Sequence, residues 1–115
     1  MRTPSAGDLI EIDSDEGAAG HEQKGRRPAL VVSVDGFQAS GLAIVCPVTT
    51  HGGKATKVRS QLEVPVPPGF AVSGAILSHQ VRTIDWKARN SGVLDHLPRA
   101  TLLEVRARLK VFLGL

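Results

Sequence analysis

Two short stretches of this chain hold side chains able to move a proton beside a phosphate. The first, Gly20 to Pro28, reads Gly-His-Glu-Gln-Lys-Gly-Arg-Arg-Pro and runs directly into the apolar Ala29-Leu30-Val31-Val32. Its glycine-flanked loop carries an imidazole (His21), a carboxylate (Glu22) and three cations (Lys24, Arg26, Arg27), and Pro28 pins it to a buried strand. An imidazole titrates near neutral pH and guanidinium groups hold phosphate charge, so the set suits proton transfer at a phosphate. A solvated turn has no need of that combination. The second stretch, Val45-Cys46-Pro47-Val48-Thr49-Thr50-His51, ends an apolar strand in two hydroxyls and a second imidazole.

Charge distribution agrees with a polyanionic ligand. Five acids and no base lie between Asp8 and Glu16, whereas six bases face two acids between Gly17 and Ser60. Lys54, Lys57 and Arg59 extend the basic stretch beyond His51. A local positive excess favours a polyanionic ligand, with affinity that falls as salt rises. A solvated basic surface would look the same by charge alone; His21 and Thr49 tip the balance.

The elements that must position these groups are short. Asp8 to Ile12 alternates as a half-buried strand, and residues 13–28 read as a long loop. Ala29 to Val34 forms a strand closed by a turn at Asp35-Gly36, and Leu42 to Cys46 forms the next. Leu62 to Val66 and Ser73 to Val81 read as further strands, separated by Pro67 and Pro68. Pro98 suits the first turn of a helix whose apolar stripe is Leu102, Val105, Leu109 and Phe112. The fold class is therefore mostly β with a C-terminal helix, a small barrel formed by one domain over residues 1–115, with 1–6 as a disordered tail. Trp86 and Cys46 are expected in the core. One cysteine excludes an internal disulfide, and no apolar run reaches the ~20 residues of a membrane span, so a cytoplasmic protein is expected.

Glu22-Gln-x-Gly-x-Arg-Pro28 followed by Pro47-x-Thr-Thr50 resembles the MazF/PemK family of toxin endoribonucleases. Gly7-Asp8-Leu9-Ile10 and Gln80-Val81-Arg82-Thr83-Ile84-Asp85-Trp86-Lys87-Ala88-Arg89 extend the resemblance over about residues 7 to 113. It implies an SH3-like barrel of the CcdB/MazF plasmid-toxin type and metal-independent cleavage of single-stranded RNA. A ribose 2′-OH would attack the adjacent phosphate, leaving 2′,3′-cyclic phosphate and 5′-OH ends. It also implies a homodimer, no cofactor, no membrane association, and a cognate MazE/PemI-like antitoxin with an acidic segment over the RNA groove. Arg27, matching the family's Arg-Pro step, would hold the phosphate; a guanidinium does not give up its proton readily, which argues against proton transfer. Thr49 would donate to a phosphate oxygen, and His21 would give or take a proton. Glu22, Gln23, Lys24 and Arg26 would contact RNA from the first loop, with Thr50, His51, Lys54, Lys57 and Arg59 from the second. Gln80 and Arg82 would complete the RNA surface.

One position departs from the resemblance. The family often reads Asp-Gln where this chain reads His79-Gln80. Either His79 takes over proton transfer with His21 as partner, or activity is weakened. A CcdB-like, non-enzymatic toxin is the competing class, but such proteins end Trp-Gly-Ile and this chain ends Val111-Phe112-Leu113-Gly114-Leu115. His21-Glu22-Gln23-Lys24-Gly25 lacks the second histidine of a zincin motif, and the glycines around it lack a P-loop ending, so no metal ligand set is assigned.

Overall fold

The structure, a computed structural model, describes residues 2–13, 26–50 and 62–115. β1 (Asp8–Asp13) and β2 (Arg26–Val31) form an antiparallel ladder from Leu9 opposite Leu30 to Asp13 opposite Arg26. One helical turn, α1 (Asp35–Gln38), leads to β3 (Ala43–Thr49), which returns along β2 with Ala29 opposite Pro47. β4 (Glu63–Pro65), β5 (Ala75–Leu77), β6 (Arg82–Ile84), β7 (Val93–His96) and helix α2 (Arg99–Leu113) complete the described chain. The sheet order is β4-β5-β3-β2-β1-β7, with β6 also paired to β3, and every pairing is antiparallel. Among the described residues the sheet does not close, so it is barrel-like rather than a sealed barrel.

Alternation along the strands sorts the core into two clusters. Leu9, Leu30, Cys46, Val48 and Ile76 pack against Leu102 and Val105 of α2. Ile10, Ile12, Ala29, Val31, Val45 and Ile84 form the second cluster with Trp86. Trp86 is buried as its composition suggested, and its indole Nε1 donates to the Gln38 carbonyl at 3.0 Å. Full burial of each large aliphatic side chain contributes roughly 1.5–3 kcal/mol, so these two faces fix the strand register. Among the described residues no helix is long and apolar enough to cross a membrane.

Several boundaries differ from the sequence expectation. β2 begins at Arg26, inside the expected loop, because β1 supplies Asp13 and Ile12 as ladder partners. β3 continues through Pro47 to Thr49, and Pro47 lies at the break where β5 leaves β3 and β6 takes over. The expected strand Ser73–Val81 holds only at Ala75–Leu77. Ser78 donates from both its backbone N–H and its hydroxyl to the Leu62 carbonyl, and the Gln80 N–H returns to Leu77, so a turn replaces the strand. The Asp35-Gly36 turn is a helical turn instead. Pro98 caps α2 with extended backbone (φ −61°, ψ 149°), one position before the helix, and Phe112 of the expected stripe is 41% exposed. Residues 2–6, expected as a tail, lie against the body: Pro4 is buried and the Ala6 N–H donates to Asp35 at 2.8 Å.

Candidate active site

β2 and β3 carry the two strongest candidate residues near the end of their shared ladder. The β2–β3 ladder ends at Ala29 opposite Pro47; Arg27 lies two residues before Ala29 on β2, and Thr49 two residues beyond Pro47 on β3, where β3 pairs with β5. Arg27 pairs with Ile12 of β1, and Thr49 with Ala75 of β5. By strand alternation Arg27 shares the face of Ala29 and Thr49 that of the opposed Pro47, so a guanidinium and a hydroxyl lie on one side of the sheet. Both residues are half-buried, which limits competition from water without closing the site. Arg82, opposite Val45, is half-buried on the same face. Thr49 lies four positions beyond Val45 on β3, about 13 Å in an extended strand, so Arg82 and Thr49 are well apart on this face.

His79 and Gln80 are exposed in the turn between β5 and β6. The turn therefore stands beside the middle of β3, between the strand that pairs with Thr49 and the strand that carries Arg82. The Gln80 Nε2 lies 3.4 Å from the His79 Nε2, a long contact that leaves the imidazole free to take either tautomer. Ser78, fully buried, anchors the turn to Leu62.

Arg26 faces a different set of groups. It donates to the Arg89 carbonyl at 3.1 Å and lies 4.0 Å from Asp13, whose other oxygen takes the Arg89 guanidinium at 2.6 Å. Two guanidiniums share one carboxylate at the foot of the β1–β2 ladder, leaving a local positive charge there. Arg89 was not singled out by sequence reasoning; its partners are 63 and 76 residues away, and no local pattern marks such a pairing. Thr50 is exposed at the end of β3. His21, Glu22, Gln23 and Lys24, and likewise His51, Lys54, Lys57 and Arg59, lie outside the described residues. The residues that flank them, Asp13, Arg26 and Thr50, are at the strand ends that carry Arg27 and Thr49.

Two other groups resemble chemistry and are structural. Burial pushes the Cys46 thiol up to about 12, so it stays protonated at neutral pH and is no nucleophile. Asp8, 1% exposed, receives the Ser5 N–H at 2.7 Å, His96 Nδ1 at 2.8 Å and Arg2 at 3.2 Å. That His–Asp pair lies at the opposite end of β1 from Asp13 and ties residues 2–6 and β7 to the sheet.

An open, barrel-like antiparallel sheet with a C-terminal helix packed on one face defines a small SH3-like β protein. The chain belongs to the PemK-like, MazF-like toxin family of type II toxin–antitoxin systems, which matches residues 5–113. It is 36% identical over 106 residues to endoribonuclease PemK of Escherichia coli, covering 91% of this chain and 77% of that protein. It is 32% identical over 113 residues to the endoribonuclease toxin MazF of E. coli strain K12, covering 96% and 95%. The fold superposes on MazF in a MazE–MazF crystal structure from Deinococcus radiodurans with a TM-score of 0.83 at 38% identity, covering 100% of this chain and 99% of that one.

Proposed function

We propose that this chain is a toxin endoribonuclease that cuts single-stranded RNA in the cytoplasm, acts as a homodimer and is neutralised by a cognate antitoxin. The observation that supports the reading is the presence of Arg27 and Thr49, both half-buried, near the end of the β2–β3 ladder. The reaction transfers no atom to or from a cofactor. The ribose 2′-oxygen bonds to phosphorus as its proton leaves to a base, the P–O5′ bond breaks, and O5′ takes up a proton from an acid. Arg27 holds two phosphate oxygens through its planar fork, and the Thr49 hydroxyl donates to the same group as negative charge grows. His79 serves as one proton-transfer group, at an edge of the surface that a strand of RNA would cross between Thr49 and Arg82. His21 is the candidate partner from the first loop. The antitoxin, as in the MazE–MazF complexes of relatives, would cover the same cationic surface with an acidic segment.

The test is cleavage of a long RNA transcript by the purified chain in EDTA, with both new ends mapped. The expected result is discrete cuts bearing 5′-OH and 2′,3′-cyclic phosphate ends, with a DNA copy left intact because it lacks the 2′-OH. Cleavage that stops on chelation and returns with a divalent ion contradicts the metal-free mechanism. Binding without any cut would favour the non-enzymatic, CcdB-like alternative.

A further inference from the structure

We propose that Gly74 is a positioning residue for Thr49, holding the end of β3 where its hydroxyl can meet the substrate phosphate. The inference rests on the reading of Thr49 as a substrate-contacting group. Gly74 precedes Ala75, the β5 residue opposite Thr49, and its backbone has φ +134°, a conformation that residues with a Cβ rarely adopt. A Cβ at this position would lie 2.0 Å from the Thr49 carbonyl oxygen, 2.9 Å from its carbonyl carbon and 3.0 Å from the Thr50 Cα. The Thr49 peptide therefore rests against the bare Cα of Gly74, and the absence of a side chain there sets how closely β3 and β5 approach at the site.

The two sides of this contact are held unequally. The Gly74 carbonyl accepts the Val66 N–H at 2.9 Å, and Ala75 and Ile76 immediately beyond it are buried. Thr49 is half-buried and Thr50 exposed, at the end of the strand. A side chain at position 74 would displace the less anchored partner, the Thr49–Thr50 end. Relieving a 2.0 Å approach to ordinary contact at 3.4 Å needs a shift of at least about 1.4 Å, beyond the ~1 Å misplacement of a catalytic group that costs about 10²-fold in rate. Gly69 supplies a comparison: its φ is +93°, yet a Cβ there would meet nothing within 4 Å. Strain of the loop without intrusion on Thr49 is thus available in the same connection.

The test is a double-mutant cycle on single-turnover RNA cleavage, using a long transcript and reading thermal midpoints on the same samples. Gly74→Ala is expected to lower the maximal rate about 10²-fold with little change in KM, whereas Gly69→Ala lowers only the thermal midpoint. In a Thr49→Ala background, Gly74→Ala is expected to cost less than about threefold further, because the group it displaces is gone. Equal losses in both backgrounds, or a full rate in Gly74→Ala, would overturn the proposal. A full rate in Thr49→Ala would instead overturn the reading of Thr49 on which the proposal rests. Should Gly74→Ala fail to fold, exposed Ser73→Gly loosens the stem that holds Gly74 at small cost in stability. Its expected loss of rate is severalfold in the wild-type background and absent with Thr49→Ala; no loss, or the same loss in both, overturns the proposal.

Discussion

The two ends of β1 carry polar clusters of similar composition and opposite character. At the Asp8 end a histidine, an arginine and a backbone N–H converge on one carboxylate that is 1% exposed. Those donors are spent on the protein's own architecture, fastening residues 2–6 and β7 to the sheet. At the Asp13 end of the ladder Arg27 and Thr49 are half-buried, and Arg26 and Arg89 share the Asp13 carboxylate. A histidine beside an aspartate is thus no sign of catalysis here. The proposed function places substrate at the Asp13 end, whereas the Asp8 cluster fastens the fold.

Substitutions at the two ends should separate turnover from stability. The largest effect is expected at His79. Loss of a general acid or base costs about 10²–10⁴-fold, so His79→Ala should all but abolish RNA cleavage and His79→Asp should restore part of it. The imidazole limb of the pH–rate curve should move or vanish in the Asp variant. An unchanged pH profile at full rate in His79→Ala would return proton transfer to the loop of His21. Next, Arg27→Ala and Thr49→Ala should each lower turnover about 10²–10³-fold with thermal midpoints near wild type. A large drop in stability with rate per folded molecule intact would assign either residue to the fastening class.

At the other end the order reverses. Asp8→Ala should destabilise the fold by about 1–3 kcal/mol, since it strips a buried acceptor from three donors, and should leave cleavage per folded molecule unchanged. The smallest effect concerns Asp95, whose carboxyl is held below its ordinary 3.8 by the Ala71 and His96 N–H groups. A depressed folded-state pKa contributes stability above 3.8 that is lost as pH falls through the still lower folded value. Asp95→Asn should therefore flatten the acid limb of a denaturation curve below about pH 4 without affecting RNA cleavage.

Legibility in the sequence followed the range of the interactions. Strands with five or more alternating positions, and α2 with Leu102 and Val105 on its buried stripe, carried their own periodicity. β6 and β7, three and four residues long, did not; they exist because β3 and β1 offer ladders to pair with. Arg27 and Thr49 were readable because each ends an apolar run, beside Pro28 in one case and beyond Pro47 in the other. His79 was readable as chemistry but misplaced on a strand, since the pull of Leu62 on Ser78 comes from sixteen residues away. The Asp8–His96 and Asp13–Arg89 pairs, 88 and 76 residues apart, have no local signature at all.

The account turns on a ribose hydroxyl attacking a phosphate held between Arg27 and Thr49. The most direct measurement places a single 2′-deoxy nucleotide immediately 5′ of a mapped cut in an otherwise unmodified RNA. The wild-type chain should leave that bond intact while cutting other sites in the same molecule at their usual rate. Cleavage at the deoxy position, at a rate near that of the all-ribose RNA, would contradict 2′-OH attack and with it the proposed mechanism.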